Sequence, residues 1–233
     1  MRLRPCAGNV NVAAVNERPP SHDGGEPGGS AVRSNWSARY AAADTPWDLG
    51  APHPELSLRL QDGRLAPPHE GARVLVPGSG HGHDAIALAR RGWDVTAVDL
   101  VGDLGDELAP QLKKLGGRFI GGDVLGLEAF QDFDLIWDHT FFCAISPSDR
   151  PRWGVQAGRF LKPGGQYAAL VFPIGKPAEA GGPPFGMTGG ELMAALGPLF
   201  RERNSEPLTR SLKRRTWRES WLRAERVILA PAP

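Results

Sequence analysis

Short apolar runs alternate with amphipathic stretches along most of the chain, and the alternation predicts strands and helices in turn. Trp36 and Tyr40 fall i, i+4 on one helical face, and Glu55–Leu60 reads as a helix before the turn marked by Pro67 and Pro68. Val74, Leu75 and Val76 form a run suited to a buried parallel strand, and Pro77, which cannot continue a central ladder, is expected to turn the chain. From Asp84 the period lengthens, with Ile86, Leu88 and Ala89 on one helical face and Gly92 as the stop. A second strand, Val95–Val98, ends on Asp99. A helix from Leu104 to Leu115 leads into a third strand at Arg118–Gly122, and Phe133–Trp137 reads as a fourth. A helix at Arg152–Leu161 and a sharp Lys-Pro-Gly-Gly turn precede a fifth strand, Gln166–Phe172. Thr188 is placed to cap a helix at Glu191–Leu196, and 210–230 is expected to supply the last two, antiparallel strands. This order of elements is that of an α/β protein.

Composition narrows the function. A chain of 233 residues is one domain by length and can bury a substantial core. We expect a polar, Gly/Pro-rich, disordered leader over 1–33, without assigned function, and one domain over 34–233. The net charge of +1 predicts affinity neither for nucleic acid nor for membranes. Arg210 to Arg226 holds seven basic residues against two acids, a run that reads as a solvated face, with attraction of a small anionic substrate left open. The two cysteines, Cys6 and Cys143, lie far apart and suggest a reducing, cytoplasmic setting. No apolar run approaches membrane-spanning length, and no secretory signal is evident.

The candidate chemistry begins at the glycine turn, Gly-Ser-Gly-His-Gly at 78–82, where the backbone can pass close to a ligand. Asp99 follows Gly78 by 21 residues, the separation at which nucleotide-binding α/β units place a carboxylate on ribose hydroxyls. His83 stands where a dinucleotide fingerprint needs glycine. Asp84 would repel a pyrophosphate but suits a cationic sulfonium, which favours S-adenosylmethionine (SAM) over NAD. Trp36, Tyr40 and Trp47 are either core anchors or an aromatic cap whose ring faces attract the sulfonium. Asp123 and Val124 stand where the third strand meets an adenine; a loop acid or helix cap is the alternative. Asp138 and His139 empty from the fourth strand, and His139 is either a proton acceptor or only a ligand contact. Cys143 reads as a small buried hydrophobe, and 173–185 as a loop suited to cover a site. His81 and His83 lack an obvious third ligand, so no metal is called for.

Together these pieces resemble the thiopurine S-methyltransferase superfamily, and within it the thiol/halide methyltransferase branch. The matching segments are Thr-Pro-Trp-Asp-Leu-Gly at 45–50, 74–84, Val-Asp-Leu at 98–100, 133–145, 161–165 and Gly-Gly-Pro-Pro-Phe at 181–185. The resemblance spans about residues 35–230 and implies a doubly wound, seven-stranded, mostly parallel sheet with helices on both faces. It implies SAM contacts at Trp36, Tyr40, Trp47, Gly78, Ser79, Gly80, Asp99, Leu100, Asp123, Val124 and His139. It makes His139, or Asp138 through water, the candidate base, and Phe141, Phe142 and Phe185 the lining of an apolar acceptor pocket. Three residues depart from the family pattern: Tyr40 replaces a frequent tryptophan, Ser79 a cysteine and His139 a tyrosine. The implied reaction is methyl transfer to a small thiol or sulfide, with halide or thiocyanate also in view, by a monomer that binds neither nucleic acid nor membrane. An oxygen or nitrogen acceptor, a SAM-binding protein without turnover and an NAD(P)-dependent oxidoreductase stay open as alternatives.

Overall fold

A computed structural model of the protein describes residues 27–128, 132–213 and 215–228. Residues 1–26 of the expected leader lie outside the described residues, whereas 27–33 open helix α1 (Pro27–Ala41), ahead of the expected boundary. The proline suits a first helical turn, where its missing N–H has no partner to lose.

Seven strands form one sheet: β1 (Arg73–Pro77), β2 (Asp94–Asp99), β3 (Arg118–Gly121), β4 (Phe133–His139), β5 (Leu161–Ile174), β6 (Phe200–Pro207) and β7 (Arg218–Arg226). Their order is β3-β2-β1-β4-β5-β7-β6, parallel through β5, with β7 antiparallel to both of its neighbours. The chain leaves β1 on one side through β2 and β3, then returns to β4 on the other. That reversal opens a crevice beyond the carboxyl ends of β1 and β4.

Side-chain alternation along the strands divides the apolar residues between two cores. Leu75, Val98, Ile136, Ala169 and Leu222 meet Trp153 and Phe160 of α5 (Arg150–Phe160) and Leu192 of α6 (Gly189–Leu196). On the opposite face Val74, Val76, Leu135 and Trp137 meet α2 (Pro54–Gln61), α3 (His83–Arg90) and α4 (Gly105–Lys114) through Leu56, Leu88 and Leu108. Each such leucine contributes about 1.5–3 kcal/mol on burial. Helices α5 and α6 approach so closely at Gly154 that a Cβ there would overlap the Ala195 carbonyl.

Three strands depart from expectation. β6 lies at 200–207, so 210–230 supplies only β7. β6 is an edge strand that buries Phe200 and exposes Arg201 to Ser205, so no alternation marks it in sequence. Pro77 remains in β1, opposite Val98, as the strand's last residue. β5 opens at Leu161, and Lys-Pro-Gly-Gly forms an irregularity inside the strand rather than a turn before it. No helix among the described residues is long and apolar enough to cross a membrane.

Candidate functional site

The glycine turn closes β1 with Gly78, Gly80 and Gly82 all at positive φ, 56°, 53° and 77°. Only glycine adopts this conformation at little cost. A Cβ on Gly78 would lie 2.9 Å from the Phe141 ring, and one on Gly80 would lie 3.0 Å from the Tyr40 hydroxyl. Asp99, at the end of β2, accepts from Gly80 N–H at 2.8 Å and Val101 N–H at 3.0 Å. Burial raises its carboxyl above the ordinary range, and these N–H groups pull it back in part. The Ser79 hydroxyl is buried and finds no hydrogen-bond partner among the described residues. A left-handed backbone cradle, an unsatisfied hydroxyl and a carboxylate at a strand end fit the ribose and amino-acid parts of SAM.

Trp36, Tyr40 and Trp47 lie outside both cores and pack on one another above this turn. Trp47 meets Trp36 edge-on at 5.2 Å and donates to the Tyr40 hydroxyl at 3.3 Å, while Tyr40 meets the His81 ring edge-on at 5.4 Å. Burial, with Asp99 near, pushes the Tyr40 phenol up, so it stays protonated. The Arg39 guanidinium, paired with Asp44, covers Trp47 at 4.3 Å. Asp48 faces His83 at 3.2 Å and His81 at 3.8 Å, clasping the cap to the turn. Among the described residues no group of three or more metal-ligating side chains is arranged to hold a metal.

Gly122 N–H donates to the Asp99 carbonyl, which brings the loop after β3 beside Asp99 and the partly buried Leu100. Asp123 in that loop accepts from Leu125 N–H at 2.9 Å, a local turn, and Val124 packs into the first core.

Two carboxylates differ from expectation. Asp84, expected to face the sulfonium, is buried and bonded to protein: it accepts from His53 N–H at 2.8 Å, Trp137 Nε1 at 2.9 Å and His139 Nδ1 at 2.8 Å. Burial raises Asp84, but His139 and the other donors more than offset this, and its carboxyl sits below the ordinary range. Asp138, expected as a base through water, is 2% exposed. One of its oxygens caps the turn through Phe141 N–H at 3.1 Å and Phe142 N–H at 3.3 Å, and the other accepts from Tyr167. Burial pushes Asp138 up. It holds the end of β4 in place and is shut away from solvent.

His139 ends β4, paired with Leu170, and is followed by Thr140 at φ 67°, a strained value for a β-branched residue. Arg215 Nη2 lies 2.9 Å from His139 Nε2. Arginine only donates, so Nε2 accepts, and Nδ1 carries the proton given to Asp84. Arg215 also pairs with Glu219 at 2.6 Å and lies over Phe172 at 4.2 Å. Glu219 accepts from Leu212 N–H at 2.7 Å and faces His53 Nε2 at 3.6 Å. Burial raises Glu219, but His53, Leu212 N–H and Arg215 bring it down to about 2. His53 accepts from Glu55 N–H through Nδ1, and burial holds its pKa low. Asp84, His139, Arg215, Glu219 and His53 thus close a ring over the crevice. Arg215, Glu219 and His53 carry no local signal in sequence: Arg215 is hidden in a run read as solvated, and its partner His139 lies far along the chain.

Of the three phenylalanines, Phe141 is buried in the first core at 8% exposure, and its ring also borders the glycine turn. Phe185 is tied to the same loop, its N–H donating to the Cys143 carbonyl at 2.7 Å. Phe142 differs from expectation, being 1% exposed and part of the core. Cys143 is buried, its thiol pushed up to about 12 by burial, as a small hydrophobe would be placed.

The family model described as Thiopurine S-methyltransferase (TPMT) matches residues 31–227. An Arabidopsis thaliana protein named "Probable thiol methyltransferase 2" is 35% identical over 168 residues, 70% of this chain and 72% of its own. "Thiocyanate methyltransferase 1" of the same plant is 34% identical over 154 residues, 64% of this chain and 65% of its own. Among solved structures, the Burkholderia thailandensis 1,6-didemethyltoxoflavin-N1-methyltransferase, with 1,6-didemethyltoxoflavin and S-adenosylhomocysteine bound, has a TM-score of 0.68. It covers 85% of this chain and 89% of its own at 24% identity, a likeness of fold.

Proposed function

The chain belongs to the thiopurine S-methyltransferase family, and from that premise we propose that it transfers a methyl group from SAM to the sulfur of a small thiol or sulfide. The observation that carries this reading is the meeting of the left-handed glycine turn, the Asp99 carboxylate and the aromatic cap beyond β1 and β4. In this reading Gly78, Ser79, Gly80, Asp99 and Leu100 hold the amino-acid and ribose parts, and Asp123 and Val124 border the adenine. Trp36, Tyr40 and Trp47 close over the sulfonium. Bound, SAM supplies a methyl group already activated by its positive sulfur. The protein aligns the acceptor behind that methyl and excludes water, and Phe141 and Phe185 give the acceptor a soft, apolar surround. Thiocyanate is a second reading, favoured by the relative of that name. A cytoplasmic monomer belongs to the same proposal, supported by the free buried thiol of Cys143 and by the charged edge at β6.

The test is release of S-adenosylhomocysteine by the full chain with SAM and bisulfide, methanethiol, an aryl thiol, a thiopurine, thiocyanate or iodide. Turnover on the sulfur acceptors is expected, with iodide slower. Turnover confined to iodide, or none with any sulfur acceptor, would overturn the proposal.

A further inference from the structure

We propose that Asp84 and Arg215 are positioning residues that lock His139 with its proton on Nδ1 and its Nε2 filled, so that a thiol acceptor reaches the site already as its anion. This inference rests on the reading given under Proposed function and concerns the route by which the acceptor's proton is lost.

Asp84 offers lone pairs and accepts a hydrogen bond from His139 Nδ1–H at 2.8 Å, alongside those from Trp137 Nε1 and the His53 N–H. Arg215 offers only protons and fills Nε2 at 2.9 Å. A histidine acting as base needs a free lone pair aimed at the acceptor. Here the Nε2 lone pair is occupied by a guanidinium held from behind by Glu219 and by the Phe172 ring. The charged and titratable groups around His139 are Asp84 from α3, Asp138 from its own strand, His53 ahead of α2, Arg215 from the segment joining β6 to β7, and Glu219 from β7. Asp138 is committed to Tyr167 and the 141–142 backbone, so no other side chain of this cluster offers a free base.

The reaction then balances without a protein base. The thiol gives its proton to solvent, and the thiolate lone pair forms the new sulfur–carbon bond. The donor's carbon–sulfur bond breaks, its electron pair neutralising the sulfonium, to leave a thioether and S-adenosylhomocysteine. An ordinary thiol has a pKa of about 8.5, so an alkyl thiol is a minor anion near neutrality while an aryl thiol is largely ionised.

The experiment is the pH profile of kcat/KM for the full chain with an alkyl thiol, a more acidic aryl thiol and thiocyanate, which carries no proton in this range. The expected result is an acidic limb that moves with the pKa of each thiol and vanishes with thiocyanate. A limb that stays at one pH for both thiols overturns the inference. Turnover with any of these acceptors upholds the methyltransferase reading, so the two can fail separately; absence of turnover with all of them overturns both. The tautomer is read independently by nitrogen NMR of ring-labelled histidine at pH 7.5 with S-adenosylhomocysteine bound: Nδ1–H is expected for His139, and Nε2–H overturns the assignment. Arg215→Met opens Nε2, and an acidic limb at one pH shared by the two thiols, still absent with thiocyanate, is then expected; a profile unchanged from wild type overturns the part given to Arg215.

Discussion

The Asp99 carboxylate is almost wholly buried, yet its donors among the described residues are backbone N–H groups, and among those residues no cation forms an ion pair with it. Burial therefore works against its charge, which the backbone N–H groups offset only in part. Asp99→Ala should weaken SAM binding by about 1.5–3 kcal/mol, the loss of a charged hydrogen-bond partner, and should also lower the melting temperature of the free protein, because the Gly80 and Val101 N–H groups lose their acceptor. Calorimetric titration and a thermal melt check both halves, and wild-type affinity would contradict the role given to Asp99. Asp99 is legible in the sequence because the strand–glycine turn–helix–strand unit fixes its place through local rules. Asp84 is not: its partners His53 and Trp137 stand 31 and 53 residues away, and nothing near Asp84 announces them. The same holds for His139, whose residue type suggests a base and whose distant neighbours fill both ring nitrogens.

Elements with a strong hydrophobic period fall within a few residues of where the sequence alone predicts them, as α3, β2 and α6 show. Thr188 does cap α6, accepting from Glu191 N–H at 3.1 Å while its hydroxyl meets the Glu191 carboxylate. β6 is hidden because an edge strand with one fully buried residue has no period to detect. The packing of α5 on α6 is equally hidden, since a glycine inside a helix, Gly154, reads as a weakness until its neighbour is known. Gly154→Ala should separate these helices and destabilise the protein by about 1–3 kcal/mol despite alanine's better helix propensity. Denaturant melts measure this; a variant more stable than wild type would show that the two helices can part without cost.

The ring of Asp84, His139, Arg215, Glu219 and His53 joins the turn before α2, the start of α3, the end of β4 and the start of β7, so the site is a property of the assembled molecule. Glu219 makes this measurable. Its pKa falls from an ordinary 4.5 to about 2. A lowered acid gives stability that is complete above its unfolded pKa and lost as pH falls through the folded one. Glu219→Gln should therefore cost about 3 kcal/mol at pH 7, and the gap from wild type should close between about pH 4.5 and pH 2. A gap independent of pH in thermal melts would count against the pairing. The order of the sheet carries one more consequence, for biosynthesis. β7 lies between β5 and β6, so the strand made last is inserted between two made earlier. Until residues 218–226 leave the ribosome, β5 presents Ala168 to Val171 as an open, apolar edge, and Arg215 and Glu219 have not reached the crevice. The nascent chain thus lacks the ring around His139 and is most prone to strand-to-strand association at the same moment, and both conditions end together when β7 closes the sheet.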